Sequence, residues 1–141
     1  MLSPDGTQIA FDSHRSGRLA VYVMAADGTH VRGLTSSPGD DSLPTWSPRG
    51  DRIAFVSYRD GGVGHIYVMP AAGGPARRIT PPGEDDGEPS WSPDGTEIVF
   101  VRGAGPSRGD LFSVTPAGTG LRQLTTTGYA QSPAVRPTVR G

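Results

Sequence analysis

Short apolar runs separated by turn residues recur along the chain at intervals of about 45 residues. Ile9-Ala10-Phe11 is matched by Ile53-Ala54-Phe55 and by Ile98-Val99-Phe100, and each run follows a turn that contains Pro and Gly. An all-apolar run of this length is typical of a strand that is buried on both faces. A second run follows each one, in the three segments Val21–Met24, Ile66–Met69 and Leu111–Val114. Each repeat therefore begins with two predicted strands.

Two further segments of each repeat also read as strands. Apolar and polar residues alternate in 31–35, 76–80 and 121–125, which is typical of an outer strand with one solvated face. The remaining strand, predicted at 43–46, 88–91 and 132–135, contains Pro44, Pro89 and Pro133. Proline is tolerated in a strand only at the edge of a sheet or at its first residue, so this segment is predicted to be an edge strand. Pro44 and Pro89 are therefore assigned a structural role.

The turn motif fixes the register of the repeats. Trp46-Ser47-Pro48-Arg49-Gly50 recurs as Trp91-Ser92-Pro93-Asp94-Gly95, and Ser3-Pro4-Asp5-Gly6 follows Leu2 in the tryptophan position. Four strands per repeat of this period predict an all-β fold, a β-propeller of four-stranded antiparallel blades. We expect one domain over residues 1–141, with repeats at about 2–46, 47–91 and 92–136. Trp46 and Trp91 are interpreted as packing between blades.

Composition excludes several classes of function. The chain has 21 Gly and 14 Pro among 141 residues, which fits frequent turns between short strands. A formal net charge of −1 gives no electrostatic reason to bind nucleic acid. No apolar run reaches the length of a membrane span, so we expect no membrane insertion. The chain has no Cys, which excludes disulfides and thiolate metal sites.

The ordered set of motifs resembles a known family. Pro-x-Trp-Ser-Pro-Asp-Gly, then Ile-x-Phe, Ile-Tyr-Val and Leu-Thr, is similar to the TolB-type β-propeller repeat, which also occurs in prolyl-oligopeptidase-like enzymes. The resemblance covers Leu2 to about Pro137 and implies a six-bladed ring, of which three repeats would be half. It also favours a periplasmic or extracellular location in bacteria, although the compartment stays open.

A half ring would leave two blade faces in water. We expect two chains to pair head to tail as a homodimer, each carboxy-terminal strand, near Tyr129 to Arg136, completing the first blade of the other. Covering apolar faces of several hundred Å² would favour this association. The rival explanation is that the chain is a piece of a longer propeller.

Acidic residues ahead of the predicted inner strands are the candidate binding site. The set at the expected channel mouth is Asp40, Asp41, Asp85, Asp86 and Glu88. Clustered carboxylates are the ligands that Ca²⁺ prefers, and Asp41, Asp86 and Glu88 are the candidate metal ligands. Asp is also an ordinary turn residue, so solvated turns are the competing interpretation.

No residue is assigned a catalytic role. Gly105-Pro106-Ser107-Arg108-Gly109 matches the Gly-x-Ser-x-Gly pattern of a nucleophile elbow, but strand residues follow it where the elbow requires a helix. The three histidines, His14, His30 and His65, fall at different repeat positions and are interpreted as surface or hairpin residues.

The sequence therefore predicts a non-enzymatic module, with no required cofactor, that presents loops and a channel mouth to a protein or peptide partner. A Ca²⁺-binding propeller and the gating propeller of a larger hydrolase remain as alternatives.

Overall fold

The computed structural model describes residues 1–103 and 109–126, in which the chain forms three antiparallel sheets and no helix. That part of the chain consequently offers no helical segment able to cross a membrane. The first sheet contains β1 Gln8–Ser13, β2 Ala20–Ala25 and β3 Arg32–Gly33, in that order. The second contains β4 Asp41–Trp46, β5 Arg52–Ser57, β6 His65–Pro70 and β7 Arg77–Arg78. The third contains β8 Asp86–Trp91, β9 Ile98–Arg102, β10 Asp110–Val114 and β11 Arg122–Gln123.

The sheets pack face to face. Burial on both faces is confirmed for the apolar runs of β5 and β9, whereas in β1 only Ala10 is buried and Ile9 and Phe11 are half-buried. Alternate residues of β5 point to opposite faces, as strand geometry requires. Ile53 and Phe55 enter a core shared with β1 and β2, whereas Ala54 and Val56 enter a core shared with β9 and β10. All four side chains are 0 or 1% exposed. Burial on both faces explains why this strand has no polar residue between Ile53 and Val56.

The outer strands are shorter than the alternating pattern suggested. Each was expected to run for five residues, but β3, β7 and β11 contain two residues each, all exposed. Only the middle of each segment pairs with its neighbour, for example Tyr22 with Gly33 and Val23 with Arg32.

The inner strands begin earlier than expected. β4 starts at Asp41 and β8 starts at Asp86, so these two residues are strand residues and not part of a loop ahead of the strand. Each is fixed there by a backbone bond to the preceding sheet: the Asp41 amide donates to the Leu19 carbonyl at 2.8 Å, and the Asp86 amide donates to the Gly64 carbonyl at 2.9 Å.

Among the described residues the first sheet has three strands and the other two have four. Residues 1–3 lie at the inner edge of β1: Leu2 bridges Ile9, the Ala10 amide donates to the Met1 carbonyl at 2.8 Å, and the Ser3 amide donates to the Gln8 carbonyl at 2.8 Å. The remaining length of this edge, at Asp12 and Ser13, has no strand beside it among the described residues. The carboxy-terminal strand expected near 129–136 and most of the Gly105–Gly109 motif lie outside those residues.

Candidate functional site

Two aspartates of the expected acidic site are buried and bound to arginine. Asp86 is 1% exposed, and its two carboxylate oxygens accept hydrogen bonds from the Arg102 guanidinium at 2.6 and 3.0 Å. Asp41 is 0% exposed and accepts bonds from the Ser37 hydroxyl at 2.8 Å and from Arg59 at 3.4 Å. Both side chains therefore have a fixed partner inside their own sheet.

Neither arginine was predicted from the sequence as part of this site. Each lies over a pair of stacked aromatic rings that belongs to the two central strands of its sheet. The Arg59 guanidinium carbon is 4.4 Å from the Tyr67 ring centroid, and that of Arg102 is 4.8 Å from the Phe112 centroid. In the sequence, each arginine lies two to four residues after the Ile-x-Phe run. No local pattern at that position indicates that the arginine pairs with an aspartate of another strand.

Asp40 and Asp85 tie each inner strand to the hairpin of the preceding sheet. The Leu19 amide donates to Asp40 Oδ1 at 3.2 Å, and the Gly64 amide donates to Asp85 Oδ1 at 2.8 Å. Carboxylates that accept backbone N–H groups are ordinary structural caps of turns and strand ends. Solvated turns were the competing interpretation for these acids, but Asp40 and Asp85 link neighbouring sheets through these hydrogen bonds.

The exposed part of the inner strands is a bulge at the third strand position. Leu43 and Glu88 both have positive φ, 53° and 52°, and the strand pairing shifts register around each. Non-glycine residues rarely adopt this conformation, and a bulge re-aims the side chain away from the sheet. Leu43 is 49% exposed. These two side chains stand on the sheet edge that would face a propeller channel.

The described residues do not bring the acidic clusters together as one metal site. Within 1–103 and 109–126 there is no group of three or more His, Asp or Glu side chains placed to share an ion. Of the candidate ligands, Asp41 and Asp86 already bind guanidinium groups in different sheets. The calcium site therefore stays a prediction that no contact in this part of the chain supports.

The tryptophans link consecutive sheets as expected for packing residues. Trp91 Nε1 donates to the Thr45 carbonyl at 3.1 Å, and Trp46 Nε1 donates to the Met1 carbonyl at 2.9 Å. Both indoles are 6% exposed. Each indole therefore bonds to the preceding sheet. Its acceptor there is the residue just before the position equivalent to the tryptophan itself.

The turns of the first and third repeats share one carboxylate arrangement. Asp94 accepts bonds from the Ser92 hydroxyl and from the amide and hydroxyl of Thr96, which hold the pKa of Asp94 at about 2, the Thr96 amide contributing most. In the second repeat Arg49 stands at this position, and Ser47 donates instead to Asp51 at 2.8 Å. The turn serine thus bonds an aspartate in both repeats, but in the second repeat that aspartate lies two residues later.

One histidine departs from the surface interpretation. His14 and His30 are exposed, but His65 is the first residue of β6 and is 2% exposed. Its Nδ1 lies 3.9 Å from Asp60, whose carboxylate accepts a hydrogen bond from the Tyr67 hydroxyl. Burial and this hydrogen bond raise the pKa of Tyr67 to about 12.

Comparisons with known proteins agree with this architecture. A family model described as the TolB beta propeller domain matches residues 1–140. A solved structure described as a putative TolB from Agrobacterium tumefaciens superposes with a TM-score of 0.83, at 26% identity over 93% of this chain and 50% of that chain. The chain thus spans half the length of that relative.

Two curated relatives match shorter segments. The Tol-Pal system protein TolB of Anaeromyxobacter dehalogenans is 48% identical over 44 residues, which are 31% of this chain and 10% of that protein. An uncharacterized peptidase of Bacillus subtilis, YuxL, is 46% identical over 52 residues, 36% of this chain and 8% of that protein.

Proposed function

Because the chain belongs to the TolB β-propeller family, we propose that it is a non-enzymatic binding module whose inner-strand bulges contact a protein or peptide partner. The observation that carries this proposal is the pair of exposed bulges at Leu43 and Glu88. They occupy equivalent positions with nearly equal φ, yet one side chain is apolar and the other acidic. In a propeller the blades surround a central channel, and both bulges lie on the strands that would line it.

The Tol-Pal relative supports a protein partner, and the bulge chemistry suggests how it would be bound. An exposed leucine beside an exposed glutamate fits a peptide that offers one apolar and one basic side chain. β4 and β8 contact one another, so both bulges lie along one edge of the stacked sheets. A periplasmic location, which the family resemblance implies, belongs to the same proposal.

Panning a random-peptide phage library against the full chain tests the proposal. Enriched peptides should lose affinity for a Glu88→Arg variant and for a Leu43→Asp variant. Glu84→Gln is the matched control, because Glu84 is an exposed acid ahead of the same strand. Equal binding to all variants, or no enriched sequence, would contradict the proposed channel-mouth site.

The same proposal includes assembly into a six-bladed ring. Three stacked sheets would be completed either by a second copy or by further blades of one polypeptide. Light scattering behind size exclusion distinguishes these for the isolated chain, since a homodimer has twice the mass of the 14.7 kDa chain. A monomer across a wide concentration range would rule out the two-chain ring.

The relationship to YuxL favours a second candidate, the gating propeller of a larger hydrolase. The coding context tests it: an adjoining α/β-hydrolase segment in the same open reading frame would support this role, and its absence would remove it. The calcium alternative has a separate test, in which Ca²⁺ and EDTA are compared for their effects on the melting temperature. A melting temperature unchanged by both would end that alternative.

A further inference from the structure

A cavity of about 200 Å³ lies between the first and second sheets. Its polar side chains are Thr35, Ser36 and Ser37, which follow β3, and Arg59, which follows β5. Among the described residues that line the cavity there is no Asp or Glu, and neither inner-strand bulge contributes to it. Ser36 is exposed, so the cavity can be reached from solvent.

Three of these side chains have hydrogen-bond donors that no group in the described part of the chain accepts. Arg59 donates from Nε to the Ser57 hydroxyl at 2.8 Å and from Nη2 to Asp41 at 3.4 Å, which leaves both Nη1 hydrogens unused. The Thr35 hydroxyl oxygen accepts a β2 amide at 3.0 Å, but its own hydrogen has no such partner. The Ser36 hydroxyl bonds to none of the described residues.

The equivalent positions between the second and third sheets lack these donors. Thr80 corresponds to Thr35, because each hydroxyl oxygen accepts an amide of the second strand of its sheet. Thr80 is 2% exposed, whereas Thr35 is half-buried. Pro81 and Pro82 follow Thr80 in place of the two serines, and proline has neither a hydroxyl nor an amide hydrogen. The hydroxyl donors are therefore specific to the first of the two clefts.

The arginines of the two clefts differ in the same direction. Arg102 donates from Nε and Nη2 to the two oxygens of Asp86, at 2.6 and 3.0 Å. Arg59 makes one long bond to Asp41 and has the more exposed side chain, 23% against 13%. Arg59 is thus free to donate to a ligand without giving up a bidentate partner.

We infer that this cavity binds a small hydrophilic phosphate ester, whose phosphate group accepts hydrogen bonds from Arg59, Thr35 and Ser36. A guanidinium with unused hydrogens and no carboxylate in the lining favours an anion, because charge-assisted hydrogen bonds are the stronger ones. A phosphate monoester has three terminal oxygens, one for each donor side chain, whereas a carboxylate has two. This site is separate from the inner-strand bulges and does not depend on the peptide partner.

The size of the cavity favours an ester over the bare ion. It has room for about seven water molecules at about 30 Å³ each, which is more than a phosphate group alone needs. Asp41 offsets part of the charge of Arg59, so we expect a dissociation constant on the order of millimolar.

A ¹H–¹⁵N NMR titration of the full chain with glycerol 3-phosphate tests the inference. The amides of residues 35–37 and the Arg59 Nε–H should show saturable shifts. Glycerol and sodium chloride, the latter at matched ionic strength, are the ligand controls and should leave these signals unchanged. Inorganic phosphate should shift the same signals with weaker affinity, because it leaves part of the cavity unfilled.

Two variants remove donors from the cavity, and a third is the matched control. Arg59→Gln should weaken binding of the ester about tenfold, and Ser36→Ala, at an exposed position that should not affect folding, about threefold. In the first sheet Arg15 lies 4.9 Å from the Tyr22 ring centroid and donates to Ser13, but it does not line the cavity. Arg15→Gln should therefore bind the ester as wild type does.

Several results would overturn the inference. They are shifts that sodium chloride reproduces, no saturation by about 0.1 M ester, or an affinity for inorganic phosphate equal to that for the ester. Wild-type affinity in Ser36→Ala or in a folded Arg59→Gln would also overturn it, as would an equal loss in Arg15→Gln. If Arg59→Gln fails to fold, Ser36→Ala decides the outcome. Peptides selected at Leu43 and Glu88 should bind Ser36→Ala normally, so this site and the proposed function can fail separately.

Discussion

Replacing Asp86 by Asn should destabilise the protein far more than the same change at Asp41. Asp86 holds Arg102 with two short charge-assisted bonds, and the two side chains are 0 and 13% exposed. Asn keeps one acceptor but places an NH₂ group against the guanidinium, which loses its compensating charge. Breaking a buried pair in this way costs about 3 kcal/mol.

The Asp41 pair is looser, and its arginine is more exposed. Arg59 reaches Asp41 with a single bond of 3.4 Å, and its side chain is 23% exposed. Loss of one long bond to a partly hydrated cation should cost about 1 kcal/mol. The difference between the two variants is therefore expected to be about 2 kcal/mol, although both aspartates occupy the same position of the repeat.

Urea denaturation followed by tryptophan fluorescence measures both values, because both indoles are buried between sheets. With a slope of about 1–3 kcal/mol per molar urea, Asp86→Asn should lower the midpoint by about 1–3 M. The double variant Asp86→Leu with Arg102→Leu should recover much of the loss, since an apolar pair can replace a buried ion pair. Equal effects of Asp86→Asn and Asp41→Asn, or a stable Asp86→Asn variant, would refute the structural role assigned to this pair.

Three further changes test the architecture. Trp91→Phe should lower stability by about 1 kcal/mol in thermal unfolding, because a β4 carbonyl loses its indole donor. The pKa of Asp94 in the folded protein is about 2, below its ordinary value of about 4. The stability that the ionised carboxylate contributes is therefore fully present above about pH 4 and is lost as pH falls toward 2. The gap in melting temperature between wild type and Asp94→Asn should shrink over that window. Gly39→Ala should cost about 1–3 kcal/mol, because the new Cβ would lie 2.5 Å from the Tyr58 carbonyl, whereas Gly87→Ala has open space and should be neutral.

The two-sided burial of β5 could be predicted from the sequence because a continuous apolar run has few other stable arrangements. Ile53 to Val56 had no polar face to offer, and the structure buries both faces of β5. The packing role of Trp46 and Trp91 followed from their fixed place before the turn. The positions of the outer strands were also predicted, but not their length of two residues, since alternation does not say how many residues find a partner.

The burial of the acidic residues could not be predicted from the sequence. Asp is an ordinary turn residue, and the strands were expected to begin at Leu43 and Glu88, so Asp41 and Asp86 were placed ahead of them. Asp41 bonds Arg59, which lies 18 residues away just after β5, and Asp86 bonds Arg102 of β9, which lies 16 residues away. No local pattern connects either aspartate to its arginine. The positive φ of Leu43 could not be predicted either, because the residue before a proline normally favours an extended backbone.

Equivalent positions of the repeats fall into two kinds: residues that maintain the fold and residues that could select a partner. Asp41 and Asp86 have the same residue type, burial and kind of partner in two sheets, as expected of a contact that every closed blade needs. Leu43 and Glu88 share backbone conformation and exposure but differ in chemistry, so the sheet constrains the backbone there and not the side chain. A surface that discriminates between partners must be built from positions of the second kind. Asp40, Asp41, Asp85 and Asp86 therefore make structural bonds, whereas Glu88, the fifth acid of the expected site, lies on a bulge, and the bulges are where specificity should be sought.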